Sequence, residues 1–330
     1  MTTAVVDIDY IKYAAAGVGE TRSIVAVHKQ SGREHPFANR TEFWGRGKNK
    51  DGGWLGELNK GRTSPFVADD FEILDVQTPE PIENVLHTAK MMFEGGLKAI
   101  NADNYVSFIG KGDSFRVERS TLLKYKGQRA GLLKPLYLDD VTQYLHAKYR
   151  PIECTFFEAD DWCVIEAYKK KDHVVIGADK DYNGCPIFLF NPNYPELGVR
   201  NCNWFGKLWR DSKGKVRGIG RLFFYFQMCS GDTSDNYNAS CFSDVKWGDV
   251  KAYDILRNLQ NDKEAFIAIE QVFKTLYPEP KTIQGWRGDE IMIDWKYVAS
   301  EMWDMARMRR WEDDTVTFSE AYEKVCKHGG

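Results

Sequence analysis

The sequence predicts an α/β protein with a mostly parallel central sheet and flanking helices. Short apolar runs typical of buried strands alternate with helix-forming stretches through about residue 200, which is the pattern of consecutive βαβ units. Beyond Gly218 the pattern is helical to the end, except for a polar loop from Ser230 to Trp247. We therefore expect an α/β domain over residues 1–217 and a helical, cap-like domain over residues 218–330.

Individual strands and helices are predicted from local sequence. Strands are expected at residues 4–8, 23–27, 105–109, 152–156, 173–178 and 187–190, and a hairpin at residues 205–216. Helices are expected at residues 10–16, 79–100, 136–148 and 158–170, the last beginning with acids and ending with lysines as the helix dipole favours. Residues 29–63 are rich in Gly, Asn, Lys and Arg, so we expect a surface insertion too polar to build core.

Composition excludes several classes of protein. No run approaches the about 20 apolar residues that a membrane span needs, and the start, MTTAVVDIDY, lacks the features of a secretory signal. The expectation is a cytoplasmic protein with no membrane partner. The seven cysteines include no C-x-x-C pair and the six histidines no H-x-x-x-H pair, which excludes a zinc ribbon or finger.

The net charge of −3 conceals two basic segments. Between Arg116 and Lys134 there are six basic residues and one acid, and between Lys207 and Arg221 there are again six and one. The first segment contains Lys124-Tyr-Lys126-Gly-Gln-Arg129, where basic residues flank an aromatic ring. Such a surface suits a nucleic-acid backbone and its bases, although a solvated basic helix has the same composition.

Acidic residues follow four of the predicted strands directly. They are Asp7 and Asp9, then Asp113, then Glu158, Asp160 and Asp161, and then Asp179 and Asp181. Because ligands of open α/β sheets bind outside the carboxyl ends of the strands, these acids mark the predicted site. Each small group also has an ordinary explanation, as the acidic start of a helix or as a turn. A further pair, Asp232 and Asp235, is spaced so that one helical turn would point both side chains the same way.

Taken together, the acids predict divalent metal ions. Crowded carboxylates repel one another and raise each other's pKa, a cost that divalent cations remove. Oxygen ligands without His or Cys select Mg²⁺ or Mn²⁺. Two such ions, about 3.5–4 Å apart, would clamp the attacking and leaving oxygens of a phosphodiester.

Five short motifs resemble those of a known family. They are Gly112-Asp-Ser-Phe-Arg116, Tyr125-Lys-Gly-Gln-Arg129, Glu158-Ala-Asp-Asp161, Ala178-Asp-Lys-Asp181 and Gly231-Asp-Thr-Ser-Asp-Asn236. In this order they resemble the 5′ nuclease family, which includes the flap endonucleases, and most closely its free-standing bacteriophage 5′→3′ exonucleases. The resemblance runs from Val5 to about Leu256. It implies the PIN-like 5′ nuclease fold, with a basic helical arch at residues 113–150 and a duplex-binding helix–loop–helix at about residues 228–258.

The resemblance also implies roles for the matching residues. Asp7 is the metal ligand on the first strand; Asp113, Glu158 and Asp160 resemble ligands of the tighter metal, with Asp161 beside them; Asp179, Asp181, Asp232 and Asp235 resemble the second set. Lys126 and Arg129 match basic residues of the arch helix that touch the scissile phosphate, and Tyr125 lies beside them as a stacking surface. Arg116, Arg119, Lys124, Lys134 and Lys251 are the expected DNA contacts. Asp9 is either a neighbour in the site or a strand-end residue.

By this resemblance the chain is expected to be a metal-dependent 5′→3′ exonuclease or flap endonuclease acting on DNA in replication, primer removal or recombination. RNA of RNA–DNA hybrids is a further candidate substrate, K⁺ a candidate ion of the helix–loop–helix, and replication proteins are candidate partners. Two alternatives stay open. The Asp7-x-Asp9 pair after a strand also fits a haloacid-dehalogenase-like phosphatase, and the basic segment also fits a non-catalytic, structure-specific DNA-binding scaffold.

Overall fold

The structure is a computed structural model that describes residues 1–327. The chain divides into two compact units. The first contains Met1–Ile11, Lys90–Leu133 and the chain from Leu145 onward, and the second contains Lys12–Ala89 and Lys134–Tyr144. The domain boundary predicted at residue 217 falls inside the first unit.

The strands, in chain order, are β1 (Thr3–Asp7), β2 (Glu20–His28), β3 (Glu34–Phe37), β4 (Phe71–Pro79), β5 (Asn104–Ser114), β6 (Ile152–Phe156), β7 (His173–Ile176), β8 (Phe188–Phe190), β9 (Val199–Asn201), β10 (Lys207–Arg210), β11 (Val216–Ile219), β12 (Lys281–Gln284) and β13 (Glu290–Ile293).

The α-helices are α1 (Ile8–Val18), α2 (Arg40–Trp44), α3 (Gly53–Leu58), α4 (Ile82–Ala99), α5 (Phe115–Arg119), α6 (Leu138–Tyr149), α7 (Ala159–Lys169), α8 (Arg221–Ser230), α9 (Asp249–Leu256), α10 (Asp262–Leu276), α11 (Trp295–Ala306) and α12 (Phe318–Cys326). No helix within residues 1–327 is both long and apolar enough to cross a membrane.

The first unit is built on a six-stranded sheet of order β6-β5-β1-β7-β8-β9. Every neighbouring pair is parallel except β8 with β9, so the predicted α/β class with a mostly parallel sheet is confirmed. Ala4, Val5 and Val6 of β1 are fully buried, as expected for a strand covered on both faces. In the sheet, β5 and β6 lie on one side of β1, and β7 and β8 lie on the other side. The strand order therefore reverses at β1, which is where open α/β sheets bind ligands.

The helices after β11 form their own core in the first unit. Phe266 of α10, Trp303 of α11 and Phe318 of α12 pack with their ring centres about 6 Å apart. The expectation of helix throughout this region was wrong in one place, because β12 and β13 form an antiparallel hairpin. Its signal is short, a few alternating apolar residues around Gly285 and Gly288.

The second unit contains the antiparallel sheet β3-β2-β4, with α2 and α3 inserted between β3 and β4. The expectation that residues 29–63 are too polar for a core was wrong. Phe37, Phe43 and Leu55 are buried, and they pack with Ile24 and Phe71 of β2 and β4. These apolar residues are spaced irregularly among charges, so neither strand nor helix periodicity shows in the sequence.

Residues 113–150 do not form one long basic helix. They contain the short helix α5, a one-turn 3₁₀ helix at Gly127–Arg129, and α6. Lys126 has a left-handed backbone, with φ of 54°, and Gly131 has φ of 80°. Two left-handed residues so close together interrupt a right-handed helix, so Lys126 and Arg129 lie in a turn rather than on an arch helix.

Candidate metal centre

Two groups of three carboxylates lie close together in the first unit. One contains Glu158, Asp160 and Asp161, and the other contains Asp181, Asp232 and Asp235; within each group one ligand oxygen per residue lies within 4.8 Å of the others. The first group starts α7, two residues after β6 ends, and Asp181 lies in the 3₁₀ turn that follows β7. Parallel strands thus deliver the first group and Asp181 to the carboxyl edge of the sheet, and the loop after α8 adds Asp232 and Asp235.

Helix capping positions the first group. Glu158 is the N-cap of α7, and its backbone N–H donates to Asp161 Oδ2 at 3.3 Å, which is the return bond of a capping box. Asp160 lies half-buried in the same first turn, and its Oδ1 accepts the backbone N–H of Asp161 at 2.7 Å. The helix N-terminus is a favourable place for these negative charges.

Asp161 is held on both oxygens by protein donors. Arg116 forms a two-pronged ion pair with it, Nη1 to Oδ2 at 2.6 Å and Nη2 to Oδ1 at 2.9 Å. The backbone N–H of Arg309 also donates to Oδ1, at 2.9 Å. Asp161 is fully buried. Its side chain therefore anchors α7 and fixes the position of Glu158 and Asp160.

Glu158 is surrounded by donors. It accepts Nη1 of Arg116 at 2.9 Å and the hydroxyl of Tyr125 at 2.8 Å, and it is ion-paired with Nζ of Lys126. Burial acts to raise the pKa of Glu158, but the charges of Arg116 and Lys126 outweigh it and lower the pKa. Asp160 has the opposite balance, because burial and the neighbouring Glu158 and Asp161 raise its pKa well above the ordinary range.

The second group is assembled from two chain segments, the 3₁₀ turn after β7 and the loop after α8. Asp181 accepts the side-chain amide of Gln227 in α8, Asp232 is ion-paired with Nζ of Lys180 at 2.5 Å, and Asp235 accepts Nη2 of Arg129 at 2.9 Å. Burial first, and then Asp179, raise the pKa of Asp181 well above its usual value. Burial likewise raises the pKa of Asp235. These acids are short of positive charge.

Asp7 is a third buried acid at this edge. It ends β1, and its carboxylate accepts the hydroxyl of Tyr182 at 3.0 Å and the backbone N–H of Tyr10 at 3.3 Å. Burial, followed by the charges of Asp9 and Asp179, raises the pKa of Asp7 to about 7. Asp9 lies in the first turn of α1, where its Oδ1 accepts the backbone N–H of Gly110 at 3.2 Å.

Tyr125 connects the two groups. Its hydroxyl lies 2.8 Å from Glu158 Oε2 and 3.2 Å from Asp235 Oδ2, and its ring is buried. Two neighbouring cations are also shared between the groups: Lys126 is ion-paired with Glu158 of the first group, and Arg129 is ion-paired with Asp235 of the second. The turn at residues 124–129 thus places one hydroxyl and two cations between the acid groups.

The donor set fits divalent metal ions. Each group offers only carboxylate oxygens, which Mg²⁺ and Mn²⁺ prefer. Asp7 is buried and Asp160 and Asp181 are half-buried, and desolvation together with neighbouring carboxylates raises the pKa of all three, so a bound cation would favour their ionised forms. The residues that would hold ions are Glu158 and Asp160 in the first group, and Asp181, Asp232 and Asp235 in the second.

Two predicted metal ligands belong to neither group, although one of them, Asp179, lies close enough to affect Asp7 and Asp181. Asp113 is exposed near the end of β5, after a register irregularity between Gly110 and Ser114, and it belongs to neither group. Asp179 is exposed and caps the 3₁₀ turn, accepting the backbone N–H of Asp181 at 2.9 Å. Both remain predicted metal ligands that the two groups do not include.

Two predicted contacts with nucleic acid are buried instead. Arg116 is only 3% exposed and is enclosed by Asp161, Glu158 and two backbone carbonyls of the C-terminal segment, so it is a structural ion pair rather than a DNA contact. Tyr125 is 5% exposed, and its ring offers no face on which a base could stack. In both cases the sequence motif located the site correctly. The burial of the side chain, however, gives the residue a structural role in place of the predicted contact with nucleic acid.

The other predicted DNA contacts are exposed. Arg119 ends α5, Lys124 lies 5.5 Å from the ring centre of Trp286, and Lys251 in α9 donates to the backbone carbonyl of Lys246. Lys134 is exposed in the second unit. Helices α8 and α9 are joined by the loop of residues 231–248, and the duplex-binding role expected of residues 228–258 stays a prediction.

The sequence reading missed four participants, namely Lys180, Tyr182, Gln227 and the C-terminal segment around Arg309. Tyr182 directly follows Asp181, and Gln227 is the one amide in the otherwise apolar run Leu222 to Cys229. A lone polar residue in a buried helix is a usable signal. The contact of Arg309 is a hydrogen bond from its backbone N–H to Asp161, 148 residues away in the chain, and no sequence pattern predicts it.

Three solved structures are similar to this chain. A bacteriophage T5 D15 flap endonuclease, in a pseudo-enzyme-product complex with DNA and metal ions, is 12% identical with a TM-score of 0.46, over 100% of this chain and 99% of that one. T5 D15 protein co-crystallised with metal ions is 15% identical with a TM-score of 0.38, over 73% and 82%. A variant of T5 5′-exonuclease is 14% identical with a TM-score of 0.37, over 73% and 81%. No family model matches the chain, and no curated protein matches it.

Proposed function

We propose that this chain is a divalent-metal-dependent 5′ nuclease that hydrolyses phosphodiester bonds of DNA. The observation that supports this proposal most is that one turn, residues 124–129, contacts both carboxylate groups. The hydroxyl of Tyr125 bonds to both groups, Lys126 is ion-paired with the first, and Arg129 is ion-paired with the second. Acids alone suggest metal, and basic residues alone suggest phosphate. Their interleaving at the carboxyl edge of a parallel sheet suits a phosphodiester held between metal ions.

Two divalent ions, when bound to these groups, supply Lewis-acid stabilisation of the charge that develops on the phosphoryl and leaving oxygens. The protein's own cations add to this effect. Lys126 and Arg129 are partly exposed, and each already pairs with an acid of one group. A phosphate entering between the groups replaces those acids as the partner of the two cations, so they neutralise the scissile phosphate and orient it.

Further features of the substrate follow from the sequence resemblance. We propose 5′→3′ polarity, with cleavage at 5′ ends and 5′ flaps, in replication, primer removal or recombination. RNA of RNA–DNA hybrids is proposed as a second substrate, replication proteins as partners, and K⁺ as an ion of the α8–α9 helix–loop–helix. Arg119, Lys124, Lys134 and Lys251 are proposed to contact the DNA backbone, and the protein is proposed to act in the cytoplasm.

The test is cleavage of 5′-flap and blunt duplexes labelled at either end, with Mg²⁺, Mn²⁺ or EDTA. Asp160→Asn should abolish metal-dependent cleavage, because Asp160 is a proposed ligand. The matched control is Asp172→Asn, an exposed acid of the same unit that belongs to neither group. It should cut like the wild type. The position of the label on the first product gives the polarity.

Three outcomes would reject this proposal. Cleavage that persists in EDTA, or is unchanged in Asp160→Asn, removes the metal centre from the mechanism. Hydrolysis of small phosphoesters without DNA cleavage would favour the phosphatase alternative. Tight DNA binding without cleavage under any divalent ion would favour the non-catalytic scaffold.

A further inference from the structure

A cavity of about 430 Å³ lies beside the second carboxylate group, outside the metal centre itself. Its walls come from the segment after β7, the loop between β8 and β9, the β10–β11 hairpin and α8. This volume lies in the range of small-molecule and cofactor sites. No residue that we have assigned as a metal ligand lines it.

Two buried polar atoms in the cavity wall have no hydrogen-bond partner among residues 1–327. They are Oδ1 of Asn183, an acceptor, and Nε of Arg200, a donor. The amide nitrogen of Asn183 is already used, since it donates to the carbonyl of Lys180 at 2.7 Å. Buried polar groups are rarely left unpaired, so the protein does not fully satisfy the wall around Asn183 and Arg200, although these two atoms are closed to solvent and do not themselves face the cavity.

The cavity also has unpaired positive charge and an aromatic face. Arg200 and Lys215 line it, and neither forms an ion pair with any residue in the described part of the chain. Arg217 lines it as well but is paired with Asp211 at 2.9 Å. Trp209 on β10 contributes an indole that is 39% exposed. Phosphate suits the cations, and a planar ring suits the tryptophan.

The cavity shares a wall with the metal centre. Lys180 lines the cavity and is paired with Asp232, and Gln227 lines the cavity and donates to Asp181. Lys180 and Gln227 thus each border the cavity and also contact an acid of the second carboxylate group. A chain of nucleotides with one phosphate at the carboxylates could place an adjacent nucleotide there.

We propose that this cavity binds a single nucleoside 5′-phosphate unit. Trp209 stacks on the base, and Arg200 and Lys215 bind the phosphate. In its full form the inference rests on the proposed nuclease function, because the unit is then a nucleotide of the substrate strand. A free mononucleotide has the same chemistry and is the second possible source.

The chain offers two matched pairs of variants. Trp209→Ala and Trp204→Ala each remove a tryptophan about 40% exposed, but only Trp209 lines the cavity. Lys215→Gln and Lys213→Gln each remove an exposed lysine of the same hairpin, but only Lys215 lines it. None of the four is a proposed metal ligand, and thermal unfolding of each variant checks that it folds.

Binding of dAMP, dTMP and inorganic phosphate is measured by calorimetry in EDTA, where no cleavage occurs. We expect both nucleotides to bind more tightly than phosphate. Trp209→Ala should weaken nucleotide binding about 5- to 100-fold, the range of base–aromatic stacking, and Lys215→Gln should weaken it measurably. Both controls should bind like the wild type.

Cleavage assays in Mg²⁺ then separate the two sources. If the unit belongs to the substrate strand, Trp209→Ala raises KM for DNA while Trp204→Ala does not. Unchanged KM with weakened dAMP binding assigns the cavity to the free mononucleotide. If no DNA is cut but dAMP binds as expected, the nuclease proposal fails and the cavity proposal stands for the mononucleotide alone. Three results would overturn the cavity proposal. They are the absence of nucleotide binding, phosphate binding as tight as that of dAMP, and an equal loss of nucleotide affinity in a variant and its control.

Discussion

Replacing Arg116 by Met should destabilise the protein without removing any DNA contact. The Arg116 guanidinium makes two bonds to Asp161, one to Glu158 and two to the backbone carbonyls of Met305 and Arg307. Met fills similar volume but leaves Asp161 fully buried with only backbone donors. Removing one partner of a buried ion pair costs about 3–5 kcal/mol, because the other charge is left uncompensated.

The free energy of unfolding is measured by urea titration in EDTA, followed by tryptophan fluorescence. We expect a loss of about 3–5 kcal/mol for Arg116→Met, and a smaller loss for Arg116→Met combined with Asp161→Asn, since the amide removes the unpaired charge. Arg119→Met is the matched control, as Arg119 lies on the same short helix but is exposed. It should change stability by no more than about 0.5 kcal/mol.

Binding of a 5′-flap DNA in EDTA completes this test. Arg119→Met should weaken binding and make it less salt-dependent, whereas folded Arg116→Met should bind like the wild type. A stability loss below about 1 kcal/mol for Arg116→Met, or weaker DNA binding by the folded variant, would show that the buried ion pair is not what holds this arginine.

Three further predictions concern single residues. Tyr125→Phe removes bonds to two carboxylates and should cost about 1.5–3 kcal/mol in EDTA; an unchanged urea midpoint would contradict the bridging role. The pKa of Asp7 is raised from 3.8 to about 7, so the folded state holds the proton more tightly than the unfolded state. The contribution of Asp7 to metal-free stability should therefore be greatest below about pH 4 and fall by as much as about 4 kcal/mol as the pH rises through 7; the difference in stability between the wild type and Asp7→Asn should follow this curve, and a difference that does not change with pH would assign the titration elsewhere. Phe43→Ala should cost about 3–5 kcal/mol, measured by urea titration, and a loss below about 1 kcal/mol would mean that the second unit does not depend on its aromatic core.

The sequence predicted the sheet because its strands are short apolar runs that end in acids. Ala4 to Ile8 was located within a residue or two, since a parallel strand covered on both faces needs continuous apolar residues. Ile152 to Phe156 was also located, although it is an edge strand whose residues, apart from Cys154, are exposed. The core of residues 29–63 could not be predicted in this way. Phe37, Phe43 and Leu55 belong to three short elements, and none is long enough to show a period.

The same contrast applies to the candidate site. Strand position located Glu158, Asp160 and Asp181, which follow β6 and β7 closely, whereas only their motif located Asp232 and Asp235, in the loop after α8. The roles of basic and aromatic neighbours were less predictable. Whether an arginine faces DNA or a buried acid depends on which distant segment packs over it. For Arg116 that segment is the backbone at residues 305–307.

The bond from the backbone N–H of Arg309 to Asp161 also affects when the site forms during synthesis. A ribosome adding about 5–20 residues per second needs about 7–30 s to make the 148 residues between them. Throughout that interval α7 lacks the segment that covers Arg116 and Asp161, so the emerging chain should hold its acids in a loose, protease-sensitive helix. Chains stalled on the ribosome before residue 305 should be cut within α7, and completed chains should not. The candidate metal centre would thus be completed only after nearly all of the chain has been made.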